Sequence, residues 1–222
     1  MKKQFTLSSI LKMKNIFYLL ILLISFLGNS QSKQIFENPE LKSIISQHKV
    51  VAILPYRTSI TYKRQPKNFS AEANRDQEKS MSKSIQSSLY TFLLRKSKNY
   101  NVSFQDVDKT NVLLKKAGML DKLDEFTNDE IAKVLGVDAI IGGVFETEQT
   151  KSEGGAIASA ILFGGFGGKT GTGSLTMTLN NGSDGQLLWR FFKTMDQGIM
   201  SSTDDIVESM MRKVSRNFPY SI

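Results

Sequence analysis

Lys133-Val-Leu-Gly-Val-Asp-Ala-Ile-Ile-Gly-Gly-Val-Phe145 decides how this chain folds. It reads as the end of a helix, a glycine stop and a buried strand. Thr127 and Glu130 have the spacing of a capping box, which predicts a short helix from about Asn128. Ile131, Val134 and Leu135 form its apolar stripe. Gly136 suits the left-handed position just past a helix end. Ala139 to Phe145 is then apolar without alternation, the pattern of a strand covered on both faces. Such a strand needs helices on both sides of a largely parallel sheet. The expected fold class is therefore α/β: one three-layer domain with a mixed sheet.

Upstream, Lys49-Val-Val-Ala-Ile-Leu-Pro55 reads as the first buried strand, ended by a residue that cannot donate a ladder hydrogen bond. Residues 31–48 form a polar lead-in, in which Leu41, Ile44 and Ile45 suggest one short, loosely packed helix. Tyr56 to Ala73 is a basic loop, with or without a short edge strand at 59–63. It carries Arg57, Lys63, Arg64 and Lys67, interleaved with Tyr62 and Phe69. Such a loop is a solvated surface or a contact surface, with Tyr62 and Arg64 as its contact candidates. From about Asn74 to Lys96 the period is helical, with Met81, Ile85, Leu89, Phe92 and Leu93 on one face and Lys83, Gln86 and Ser87 opposite. Tyr100 to Val107 reads as a second strand. Asp108 follows as the cap of a helix over 109–117, which Gly118 stops.

Downstream of Phe145, polar residues 146–151 take the strand out of the core. Ser174 to Asn180 alternates, and so do Leu187, Trp189 and Phe191, with turn dipeptides Asn181-Gly182 and Asp184-Gly185 between them. An antiparallel hairpin over 174–195 follows. Ser202 and Asp205 cap a last helix whose face is Ile206, Val207, Met210, Met211 and Val214.

Residues 1–30 have the order of a secretory signal peptide. Lys12 and Lys14 precede a 12-residue apolar run, Ile16–Leu27, with small residues at Gly28 and Ser30. A spanning helix needs about 20 residues. The expected organisation is a signal peptide over 1–30, the lead-in over 31–48 and an α/β domain over 49–222 with a glycine-rich insertion at 152–173. The expected address is secreted, in the periplasm or at the outer membrane. The chain carries a net charge of +8, but four of its 29 basic residues and none of its 21 acids lie in 1–30. What remains is 25 basic against 21 acidic residues, a net +4, which gives no footprint for nucleic acid.

Enzymatic readings find little support. With no cysteine there is no thiol nucleophile, thiolate metal site or disulfide, and one histidine, His48, excludes a multi-histidine site. His48 reads as solvated surface before the first strand. No serine stands in a Gly-x-Ser-x-Gly elbow. Asp106 and Asp108 invite an acid/base or metal reading, but no partner residues accompany them, and no cofactor is expected. Gly168-Lys169-Thr170 resembles the end of a phosphate loop. The position where its first glycine belongs is Phe163, and the stretch runs into a strand where a phosphate loop opens a helix.

The glycine-rich stretch 154–173 is too apolar for a plain linker. Ile157, Ile161, Leu162, Phe163 and Phe166 are its contact candidates. It reads either as a contact segment, toward a membrane or a second copy, or as a hairpin tip whose apolar centre folds back on its own domain.

Three segments together resemble a bacterial envelope family: Val51-Ala-Ile-Leu-Pro-Tyr56, Leu135-Gly-Val-Asp-Ala-Ile-Ile-Gly-Gly143 and Asp184-Gly-Gln-Leu-Leu-Trp189. That family includes the curli secretion channel protein, the lipoprotein activators of penicillin-binding proteins, and the N-terminal domain of the Tol-system periplasmic protein. The resemblance implies a non-enzymatic envelope module that acts through protein partners. Two departures qualify it. There is no cysteine to carry a lipid, and the channel-forming relative uses two membrane hairpins per subunit where this chain offers one candidate. The expectation is an envelope adaptor, with a membrane-associated oligomer or pore component using 154–173 as the alternative.

Overall fold

The computed structural model describes residues 33–67, 69–149, 171–195, 203–214 and 218–221. The expected signal peptide and the body of the glycine-rich insertion lie outside the described residues. Seven strands form one sheet: β1 (Lys33–Glu37), β2 (Val50–Ile53), β3 (Arg57–Tyr62), β4 (Ser103–Phe104), β5 (Ala139–Gln149), β6 (Gly171–Asn181) and β7 (Leu187–Met195). The described helices are α1 (Leu41–Ile45), α2 (Ala71–Arg95), α3 (Val107–Lys116), α4 (Asn128–Leu135) and α5 (Thr203–Val214).

The sheet runs β1-β7-β6-β5-β2-β4, with β3 also paired to β5. β2, β3, β4 and β5 are mutually parallel where they pair, whereas β5–β6, β6–β7 and β7–β1 are antiparallel. The α/β mixed sheet with a parallel half and an antiparallel hairpin is thus as expected. β5 is the centre. The capping box holds in part through Thr127, whose N–H donates to Glu130 Oε2 at 2.9 Å. Gly136 ends α4 at φ 64°, ψ 46° and turns the chain into β5.

Successive residues of β5 feed opposite layers. Ile141 and Phe145 join Val51, Ile53, Met177 and Trp189 beneath α2 and α5. Ile140 joins Ala52 and Leu54 beneath Leu114 of α3 and Ile131 and Leu135 of α4. The apolar packing of α3 and α4 is against β2 and β5 of the parallel half. On that side the antiparallel half leaves Val144, Thr176, Thr178 and Phe192 partly open, and Arg190 and Phe36 exposed.

Several local expectations shift. The lead-in contributes β1, paired along its length with β7. Pro55 interrupts the sheet edge without ending it. Leu54 N–H still donates to Ile141 O at 2.8 Å, and after Tyr56 the chain pairs again with β5 from Arg57↔Val144 to Tyr62↔Gln149. Most of the expected loop is therefore β3. For the same reason β5 continues through Glu146–Gln149, polar residues that sit between two hydrogen-bonded neighbours. The helix after β4 is capped by Asp106, not Asp108: Asp106 Oδ1 accepts from the N–H groups of Asp108 and Lys109, both at 3.0 Å. β4 itself is only two residues long. In β7 a bulge opposite Leu179/Asn180 breaks the alternation, so that Leu188 is buried as well as Trp189.

Two polar devices finish the edges. Gln86, expected on the solvent face of α2, is fully buried. Its Nε2 donates to the Ile53 carbonyl at 2.7 Å, where β2 stops, and its amide pairs reciprocally with Asn111 at 3.1 and 3.0 Å. A buried carbonyl at a strand end needs such a partner. On β3, Ile60 N–H donates to Glu78 Oε1 at 2.8 Å, and Asn74 Nδ2 donates to Ile60 O at 3.2 Å. Both acceptor and donor come from α2.

Candidate interaction surface

At one end of the sheet the last residues of β3 and β5 and the first of β6 lie side by side. Tyr62 pairs with Gln149, and Gln149 pairs with Gly171. The residues between Gln149 and Gly171 therefore leave and re-enter the described fold at adjacent positions beside Tyr62. The Tyr62 ring is partly buried and meets Phe69 edge-on, with centroids 5.7 Å apart and planes at 76°. Burial, followed by the charge of Glu78, raises its phenol pKa. Arg64 is exposed just beyond the strand, with Lys63 and Lys67. The structure thus brings Tyr62 and Arg64 to the exit of the insertion. Ile157, Ile161, Leu162, Phe163 and Phe166 lie outside the described residues.

A groove of about 530 Å³ opens on the uncovered face of the sheet. Its walls include Leu54, Arg57, Leu123, Phe126, Thr178 and Arg190. Asp124 and Asn128 stand at its α4 side, and Gly142 and Thr176 floor it. Guanidinium, hydroxyl, amide and carboxylate groups share its lining with Leu54, Leu123 and Phe126. No nucleophile and base are paired there. Sequence reasoning missed this groove because its walls come from β3, β5, β6, β7 and the turn before α4.

His48 is the clearest correction. It is buried, at 8 % exposure. Nδ1 lies 2.7 Å from the Tyr220 hydroxyl and Nε2 3.3 Å from Asn181 Oδ1. A neutral ring satisfies both contacts if Tyr220 O–H donates to Nδ1 and Nε2–H donates to Asn181. Burial lowers the His48 pKa, against the raising effects of the Asn181 bond and the Asp138 charge. Burial also opposes the Asp138 carboxylate, but hydrogen bonds from the Val50 and Lys49 amides, at 2.9 and 2.7 Å, hold its pKa below the ordinary value. The cluster ties the C-terminal residues to the start of β2 and to the β6–β7 turn. A second unexpected group is Lys193 of β7, buried at 3 % exposure with Nζ 3.4 Å from Ser209 Oγ of α5. Its alternating position behind Trp189 and Phe191 was the available signal.

Asp106 serves as a helix cap, and Asp108 is exposed in the first turn. Among the described residues no group of three or more His, Cys, Asp or Glu is placed to hold a metal.

No family model matches this chain, and no curated protein does. Solved structures do. A chain of the PelC dodecamer from Paraburkholderia phytofirmans is 14 % identical with a TM-score of 0.37, over 83 % of this chain and 94 % of that one. Lipoprotein GNA1162 from Neisseria meningitidis is 11 % identical with a TM-score of 0.37, over 76 % of this chain and 98 % of its own. The LpoB C-terminal domain from Salmonella enterica is 10 % identical with a TM-score of 0.35, over 71 % and 93 %.

Proposed function

We propose that this chain is a non-enzymatic protein-interaction module of the cell envelope, acting in the periplasm or at the outer membrane. Its contacts are made at the end of the sheet where Tyr62 and Arg64 flank the insertion. The observation that supports this reading is the Tyr62↔Gln149↔Gly171 register, which sets the two described residues flanking 150–170 beside Tyr62. The composition of 154–173 supports it independently, because apolar residues set among glycines have no period by which to join a core.

The test replaces 152–169 with a short polar turn and, separately, Tyr62 and Arg64 with alanine and glutamate. Each version is compared with the parent by thermal unfolding and by capture of partners from envelope extract. The reading requires an unchanged melting temperature with loss of the same captured proteins in both variants. Unfolding of the replacement would make the segment core. Unchanged capture in both would remove the site.

A membrane-associated oligomer or pore component is the second reading, and Ile161-Leu162-Phe163 with Phe166 favours it. Among the described residues no helix is long and apolar enough to cross a membrane. Flotation with liposomes, lost on replacement of 152–169, would support this reading over the adaptor.

A further inference from the structure

The strands at the rim of this sheet are finished differently. β3 has the outward N–H and C=O of Ile60 occupied by Glu78 and Asn74. β4 is two residues long, and just before it Asn101 N–H donates to Tyr220 O at 3.3 Å and Tyr100 bridges to Ser221. Short length and occupied groups are the usual ways in which a sheet edge is closed to other chains. β1 has neither. All five of its residues pair with β7 on one side, from Lys33↔Lys193 to Glu37↔Trp189. On the other side no described residue hydrogen-bonds to it. Gln34, Phe36 and Glu37 are exposed, and Phe36 is 48 % exposed, an aromatic ring left in water on an open edge.

The sequence of this edge is complementary to itself. Lys33-Gln-Ile-Phe-Glu37 carries a cation at one end and an anion at the other. Laid antiparallel against a second copy and centred on Ile35, it sets each Lys33 position opposite Glu37 of the second copy. Gln34 falls opposite Phe36. The two Phe36 rings become diagonal neighbours, within reach of one another across the pair. A parallel pairing in register would instead set lysine on lysine and glutamate on glutamate. We propose that β1 pairs antiparallel with β1 of a second copy about a two-fold axis at Ile35, joining the two sheets into one. The occupant is a second copy because the charge order fits its own reverse, and a closed two-fold pair uses up both open edges. This pairing needs neither the insertion nor an envelope partner, so it stands or falls apart from the adaptor reading.

The test is sedimentation equilibrium of the protein purified from cells expressing the full chain. The parent should pass from monomer to dimer across the micromolar range. Glu37→Lys and Lys33→Glu should each weaken dimerisation by about tenfold or more, because each sets like charges opposite on both sides of the axis. Mixed in equal amounts, the two variants should form a heterodimer, in which every facing pair is again opposite in charge. Circular dichroism confirms that both variants keep the parent's fold. Should either fail to fold, a second measurement decides. The chain has no cysteine, so Ile35→Cys introduces a single thiol on the axis. Facing positions of an antiparallel pair lie close enough for a disulfide. Mild oxidation should cross-link it much faster than Val112→Cys, which is on an exposed site of α3. A parent that stays monomeric overturns the proposal. So does a dimer indifferent to both charge reversals, or one in which Ile35→Cys cross-links no faster than the control.

Discussion

The Tyr220 hydroxyl meets the His48 ring at 2.7 Å, although 172 residues separate the two in sequence. A neutral ring that donates from Nε2 to Asn181 and accepts the Tyr220 O–H at Nδ1 satisfies both contacts. Protonation would place a hydrogen there and force the phenol to turn its own away. His48 is also the only histidine in the chain, so its titration can be read without interference.

Stability should therefore fall on mild acidification. The ordinary value for His48 is 6.5 and the folded value is lower, because of burial. The unfolded chain thus binds the proton more readily than the folded one. The stabilisation is full above 6.5 and declines as pH drops below it toward the folded value. Asp138 acts in a separate window, losing its contribution only below its ordinary 3.8. Melting temperatures from about pH 8 to about pH 5 should fall in the parent and change much less in His48→Gln. Equal slopes in both proteins would assign the acid sensitivity elsewhere.

Glu78 should matter for the edge of the sheet more than for the helix that carries it. In Glu78→Ala the Ile60 N–H loses its acceptor in a partly buried position, at a cost of about 1–2 kcal/mol. Glu78→Gln keeps a carbonyl oxygen there and should cost less. Urea unfolding compares them, and light scattering of the alanine variant should rise as β3 becomes available to other chains. A glutamine variant as weak as alanine would show that charge, not the hydrogen bond, is what Glu78 supplies.

Adjacent glycines of β5 should respond unequally to alanine. A Cβ on Gly143 would run into the Thr176 carbonyl and the Tyr56 ring, and the first of these is backbone. A Cβ on Gly142 meets nothing nearer than Thr178 Oγ1 at 3.7 Å. Gly143→Ala should cost about 3 kcal/mol from forced displacement, and Gly142→Ala should be close to neutral. Comparable losses in chemical denaturation would mean that strand flexibility, not close approach, fixes Gly143.

Trp189 fills the centre of the larger core. It is fully buried, stacked on Phe191 at 6.2 Å and 7° and edge-on to Phe218 at 6.2 Å and 84°. Trp189→Ala should cost about 3–5 kcal/mol. Its Nε1 has no hydrogen-bond partner among the described residues, so Trp189→Phe removes an unsatisfied donor and should cost far less than the truncation. An unchanged alanine variant would contradict the packing.

What was legible in the sequence was whatever is written locally. The Thr127/Glu130 box, the stop at Gly136 and the run from Ala139 state their geometry within a few residues, and each is found as read. Trp189 and Met211 showed their burial through period alone. Elements that depend on distant partners were not visible. Nothing near Lys33 announces β7, because five mixed residues acquire strand geometry only from the neighbour they pair with. Gln86 was assigned to water by its polarity, since its purpose is set by where Ile53 ends its ladder. His48 looked solvated because Tyr220 and Asn181 lie far along the chain. The contact candidates Tyr62 and Arg64 were found by composition, but their position beside Gln149 and Gly171 depends on β3 continuing past Pro55, which the proline itself argued against.

The placement of β1 also bears on the order in which this molecule can assemble. β6 and β7 are joined by a tight turn and can close on each other soon after both are available, since short loops cost little entropy to close. β2 can meet β4 first, whereas β3 must wait for β5. The wait of β1 is longer still, because its partner β7 is the final described strand. A chain that emerges amino end first therefore presents its first strand unpaired until nearly all the rest has appeared. Of the described strands, the first to leave the ribosome is the last to meet its partner.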